Sequence, residues 1–185
     1  FLNKPTQFKT LHVPEPGFTL GGFFHPDHAN FLGVHEKEVI SGKFVYISRS
    51  KIKSRGCCNE CDIEKMLQNH GWTIFHPQEL SVKKQLDALS TAEVCLMIAG
   101  SAQHSLLLLN NVKTRFVILP RAHHTTYNLI QSCKADNYYL LNISKTILRK
   151  EDVLTANLFM SDVDEFEHIV TKTNNFTLNL ELFKD

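Results

Sequence analysis

An excess of charge of either sign is missing from this chain. Its 185 residues hold 20 Lys and Arg against 19 Asp and Glu, a formal net charge of +1. A broad basic footprint for nucleic acid or anionic lipid is therefore excluded, and any anion site must be local. Long apolar runs are also missing. The longest, Val94 to Ala99 and Leu106 to Leu109, are far short of the roughly 18 residues that cross a bilayer. Cysteine is sparse and odd in number, five in all, which argues against a disulfide framework and for a reducing compartment. Cys57, Cys58 and Cys61 lie close together, but the His123 and His124 that would complete a zinc site are adjacent rather than spaced. Neither a metal nor any other cofactor is expected. No Ser-His-Asp order, nucleophile elbow or HExxH helix is present. The P-loop and the dinucleotide fingerprint are absent too. The chain opens at Phe1 with no initiator Met and no apolar leader, which suggests a fragment or a processed chain.

What is present is ordinary globular material, 43% hydrophobic and 21% charged, enough for one domain with a full core. Residues 1–40 are rich in turn formers, among them Pro14, Pro16, Gly17, Gly21, Gly22 and Pro26, and read as a linker or wrapping segment. Their aromatics Phe18, Phe23, Phe24 and Phe31 are too many for a solvated tail, so the segment is expected to pack across something.

Residues 41–185 alternate between strand and helix patterns. Phe44 to Ser48 is β-branched and aromatic, a buried strand, and a basic loop follows with Arg49, Lys51, Lys53 and Arg55. Asn59 offers a helix cap with Glu60 and Asp62 in the first turn, and Gly71 supplies the stop. Trp72 to Phe75 is a second strand, and Ser81 caps a helix carrying Val82, Leu86 and Leu89. Val94 to Ala99, apolar on both faces, is a central parallel strand, and Gln103 to Leu109 reads as a helix behind it. Arg115 to Pro120 and Asn137 to Leu141 are strands around a helix near Thr126 to Cys133. The sum is an α/β fold, a doubly wound, mainly parallel sheet of about five strands. Two covering helices are predicted over Glu151 to Met160 and Asp162 to Thr173, then an edge strand over Asn175 to Asp185. Asn142 and Asn175 stand in glycosylation acceptor patterns that matter only in a secretory compartment.

Ligands of such sheets collect at the carboxyl ends of the strands, where helix starts present free N–H groups. Arg49 and Arg55 in the first loop suit diphosphate oxygens, although the same residues fit a solvated basic loop. Gly100, Ser101 and Ala102 would let a phosphate approach the backbone, and equally would let a helix pack close to a strand. His104 is a candidate proton carrier or a packing residue. Glu60 and Glu79 lie near strand ends and suit a general base, Glu60 equally a helix first-turn acid.

Taken in order, Val45 to Arg49, Arg55, Asn59 and Glu60, the Leu67 to Gly71 helix end, Pro77 to Ser81, Gln85, Ala92 to Val94 and Gly100 to Ala102 resemble glycosyltransferase family 61. The family includes capsular polysaccharide glycosyltransferases. The resemblance spans Lys43 to Pro120, with weaker agreement around Pro14 to Phe18 and His25-Pro26. It implies the Rossmann-like, C-terminal donor lobe of a GT-B enzyme that binds a nucleotide-diphosphate sugar. That lobe would work with an N-terminal lobe missing here, passing the sugar to a saccharide or glycoprotein acceptor with inversion and without metal. It implies that Arg49 and Arg55 neutralise the diphosphate and that Gly100, Ser101 and Ala102 cradle it. Asn59, Glu60 and Gln85 would support the loop or touch the nucleotide. Where the family pattern has a His at the end of the third strand this chain has Ala99, and His104 is the candidate replacement one turn away. The setting this implies is cytoplasmic, at most peripheral to the inner membrane. A degenerate domain that binds a glycan or protein partner without turnover is the alternative expectation.

Overall fold

The computed structural model describes residues 4–52, 57, 59–119, 125–134, 138–140, 147–150, 157–160 and 163–174. Five strands form one parallel sheet: β1 (Phe44–Ile47), β2 (Thr73–Phe75), β3 (Val94–Ile98), β4 (Arg115–Leu119) and β5 (Tyr138–Leu140). Their spatial order is β2-β1-β3-β4-β5. The register places Val45 opposite both Thr73 and Cys95, and Cys95 opposite Phe116. This is a Rossmann-like, doubly wound α/β fold, and its strand order reverses between β1 and β3.

The two faces are packed by alternate residues of each strand. Tyr46, Leu96 and Val117 point to one face, where α2 (Glu60–Asn69) contributes Ile63 and Leu67 and α5 (Val163–Asn174) contributes Phe166 and Val170. Val45, Ile47, Cys95, Phe116 and Ile118 point to the other, against Leu86 and Leu89 of α3 (Val82–Thr91) and Ile130 of α4 (Thr125–Lys134). Every residue of β3 is buried, as a central strand covered on both sides requires.

Helix ends follow local chemistry. Ser81 Oγ accepts from the Lys84 amide at 3.4 Å at the start of α3. At the end of α2, Gly71 adopts φ +80° and its N–H donates to Gln68 O at 3.0 Å, while Trp72 N–H donates to Leu67 O at 3.0 Å. That pair of bonds closes the left-handed stop read from the sequence. Trp72 lies just before β2 and packs on Phe44 with ring centroids 5.4 Å apart.

Three expectations need correction. Ser101–Leu108 is a 3₁₀ helix, and the cause is visible in its burial: Gln103, Leu106 and Leu109 are all fully buried at a spacing of three, the 3₁₀ period rather than the α one. Of the helix expected over Glu151 to Met160, the described residues take another form. Asn157–Met160 is strand β7, paired antiparallel with β6 (Ile147–Lys150), Ile147 opposite Met160; so short an apolar run has no period that separates helix from strand. Val82, expected on the buried stripe of α3, is exposed, because the stripe begins at Leu86. The expected edge strand Asn175 to Asp185, Asn142 and Arg55 lie outside the described residues.

Residues 17–40 lie against the α3/α4 side of the sheet and include α1 (Pro26–Leu32). Gly21 N–H donates to Thr126 Oγ1 at 3.0 Å. The His35 amide donates to Leu108 O at 3.0 Å, and its imidazole pairs with Asp87 at 3.1 Å. Lys134 Nζ donates to the carbonyls of Ala29 and Leu109. Phe24 is buried, whereas Phe23 and Phe31 remain exposed. No helix among the described residues is long and apolar enough to cross a membrane.

Candidate functional site

Strand order makes the site. Because β1 and β3 are neighbours, the loops leaving their carboxyl ends meet at the reversal point, where an open α/β sheet leaves a crevice. Arg49 leaves β1 and Gly100 leaves β3. A Cβ placed on Gly100 would stand 2.8 Å from Arg49 Nη1, so the guanidinium lies directly on the Gly100 backbone. Only a residue without a side chain admits that approach. Ser101, exposed, and Ala102, half-buried, follow as the first residues of the 3₁₀ helix.

The Gly100 amide is itself held, donating to Gln103 Oε1 at 2.9 Å. Gln103 is fully buried and its Nε2 has no hydrogen-bond partner among the described residues. His104 Nδ1 lies 3.2 Å from Ser101 O, and its ring packs on Tyr127 with centroids 5.4 Å apart. Donation from Nδ1 to that carbonyl fixes the tautomer in which Nε2 is the basic nitrogen.

Glu60 is 1% exposed and sits under the end of β1. Its Oε1 accepts from Tyr46 Oη at 2.8 Å, from the Arg49 amide at 2.7 Å and from Ser48 Oγ at 3.3 Å. Its Oε2 accepts from the Cys57 amide at 3.4 Å. Burial, and then the neighbouring Glu60 carboxylate, push the Tyr46 phenol well above its usual range, so Tyr46 stays a donor. Asn59 precedes α2 but makes no side-chain cap bond, and its Oδ1 accepts from the Cys57 thiol at 3.2 Å. Gln85 Nε2 donates to Pro77 O at 2.8 Å and to Leu80 O at 3.1 Å, bracing the loop after β2. It also lines an apolar crevice of about 10 Å³ with Ile47, Phe75, Ala88 and Ala102, room for about one water.

Sequence reasoning placed Arg49, Gly100, Ser101 and Ala102 at strand ends, and the fold brings the first two into contact. Glu60 is tied to the same loop from below. Gln85 is engaged with carbonyls of its own loop, and Arg55 lies outside the described residues. Glu79, the other acid near a strand end, pairs with Lys51 Nζ at 2.8 Å. That hydrogen bond holds its carboxyl below the usual range. Two neighbours, Glu64 and His76, were missed. Glu64 bonds Ser48 Oγ and lies 3.9 Å from His76 Nε2. The signal was available, since Glu64 is one turn beyond Glu60 and so shares its helix face. Among the described residues no group of three or more His, Cys, Asp or Glu could hold a metal ion.

A family model described as Glycosyltransferase 61 matches residues 4–117. The matched stretch runs from before α1 into β4 and contains both loops of the crevice. No curated protein and no solved structure matches the chain.

Proposed function

The chain belongs to glycosyltransferase family 61, and from that premise we propose that it binds the diphosphate of a nucleotide-sugar donor at the β1/β3 crevice and takes part in passing the sugar to a saccharide or glycoprotein acceptor, as in surface polysaccharide synthesis. The observation that carries this reading is the Arg49 guanidinium lying against the Gly100 backbone, 2.8 Å from where a Cβ would stand. A guanidinium at that place meets diphosphate oxygens as they approach the Ser101 and Ala102 amides, and the Ser101 hydroxyl adds a donor. Charge that develops on the departing nucleoside diphosphate is then stabilised by Arg49 and by the start of the 3₁₀ helix. Inverting displacement needs a base on the acceptor hydroxyl. We assign that role to His104, whose Nδ1 donates to the Ser101 carbonyl and whose Nε2 is then the basic nitrogen.

The test is calorimetric titration with nucleoside mono- and diphosphates, with and without divalent metal, on the native chain and on Arg49→Ala. Loss of a charge-assisted bond worth about 1.5–3 kcal/mol weakens a diphosphate roughly 10- to 150-fold. Unchanged affinity in Arg49→Ala would overturn the assignment of this loop.

A second reading, glycan or protein binding without turnover, is favoured by one observation. Ala99, the residue that follows β3, is buried in the same apolar core as Leu86 and Leu106, so the strand end itself offers no reacting group. Diphosphate binding without donor hydrolysis or transfer to any offered saccharide, in an assay with all lobes present, is the result this reading expects.

A further inference from the structure

A buried carboxylate is costly unless donors replace its water, so the burial of Glu60 calls for a reason. Its donors supply one. The Arg49 amide opens the β1–α2 loop and the Cys57 amide closes it, and Glu60 accepts from both, on different oxygens. Tyr46, deep in β1, fixes the carboxylate from below at 2.8 Å. The position of Glu60 in the first turn of α2 adds the favourable end of the helix dipole. One side chain thus ties strand, loop and helix at the root of Arg49, whose other end rests on Gly100.

We propose that Glu60 is a positioning residue: it sets the backbone at Arg49 so that the guanidinium reaches across from β1 to the Gly100 backbone on β3. The assignment deepens the diphosphate reading of Arg49 and rests on it for its functional meaning. Its geometric content stands apart from any ligand. Glu60 then acts as a hydrogen-bond acceptor and not as the base of the reaction, since every contact described for it comes from a donor on the protein itself.

The test reads Arg49 directly. A dicarbonyl reagent selective for guanidinium, phenylglyoxal, is reacted with the native chain, and modification is followed peptide by peptide by mass spectrometry. Arg115, paired with Glu93 at 3.1 Å on β4, serves as the internal reference. Glu60→Asp keeps the charge but withdraws the carboxylate by one methylene, so it cannot reach Tyr46 and the Arg49 amide together. The rate ratio of Arg49 to Arg115 should rise at least threefold. Tyr46→Phe keeps the core packing and removes one donor, and should move the ratio the same way by less. Glu60→Gln keeps an Oε1 acceptor for Tyr46 and the Arg49 amide but turns an NH2 donor toward the Cys57 amide, so its ratio should lie between those of the native chain and Glu60→Asp. A merely structural role lowers the unfolding midpoint and leaves the ratio alone. An unchanged ratio in Tyr46→Phe, or in Glu60→Asp folded by circular dichroism, overturns the proposal. A parallel arm adds inorganic pyrophosphate: failure to protect Arg49 in the native chain counts against the diphosphate reading, while the variant ratios still decide the role of Glu60.

Discussion

Gly100→Ala separates the fold from the site with a single methyl group. The backbone of Gly100 is extended, φ 170°, a conformation any residue adopts, so no backbone strain is added. The new Cβ would meet Arg49 Nη1 at 2.8 Å, whereas ordinary contact begins at 3.4 Å, and its next neighbours are Arg49 Cζ at 3.6 Å and Ile98 O at 3.8 Å. The guanidinium must therefore retreat by about 0.6 Å or turn aside. It is the far end of a flexible side chain, and moving it should cost less than about 0.5 kcal/mol of stability. For a chain of this size that is a shift in unfolding midpoint of no more than about 2 °C. Ligand binding has no such latitude. A bidentate contact displaced by half an ångström loses one charge-assisted bond, about 1.5–3 kcal/mol, or roughly 10- to 150-fold in diphosphate affinity. Thermal unfolding and calorimetric titration on the same preparation measure both. The loss should vanish when Gly100→Ala is made on Arg49→Ala, because the two changes act on one contact. Native affinity in the single variant refutes the crevice. A midpoint lowered by more than about 5 °C refutes the claim that Gly100 is there for Arg49.

Three further perturbations address the scaffold. Gly71→Ala forces a side chain into φ +80°, with open space around the new Cβ, so the cost is backbone strain alone, about 1–2 kcal/mol by chemical denaturation. Hydrogen bonds from Lys83 and then Lys37 hold the Asp87 carboxyl down at about 2 from an ordinary 3.8. A depressed carboxylate contributes stability that is complete above its unfolded value and lost as pH falls. Native unfolding midpoints should therefore fall more steeply between pH 4 and pH 2 than those of Asp87→Asn. Cys95 is fully buried in β3 and burial pushes its thiol far up, whereas Cys61 is exposed. Alkylation followed by mass spectrometry should label Cys61 in the folded chain and Cys95 only after denaturant is added.

The parallel sheet was legible because its signals are local. Val94 to Ala99 is apolar throughout, Gly71 stops a helix, Ser81 starts one, and each signal was read within a few residues of itself. The 3₁₀ helix was not, since Leu106 to Leu109 reads as apolar in any period and only packing against the sheet selects a repeat of three. The β6–β7 pair failed for a similar reason, its strands being too short to carry a period. At the crevice, the residue types were legible but their adjacency was not: Arg49 and Gly100 are far apart in sequence, and only the pairing of β1 with β3 joins them. The Glu60 hub lies between these cases. Tyr46 and Ser48 share a strand face by alternation, and that face proved to be the one α2 covers, but no local rule supplies the crossover that puts it there.

The bond from Lys134 to Ala29 joins residues 105 positions apart in the chain. On a ribosome adding roughly 5–20 residues per second, Ala29 precedes its partner by roughly 5–20 s. Thr126, which holds Gly21 at a similar separation of 105, arrives as late. The strap around α1 is thus made well before α4, and it cannot dock until α4 has followed it. During that wait Phe24, buried in the finished molecule, faces water beside Phe23 and Phe31. The nascent chain therefore offers chaperones a cluster of aromatic side chains that the folded protein only partly withdraws, and the yield of folded molecules depends on how long that cluster is shielded.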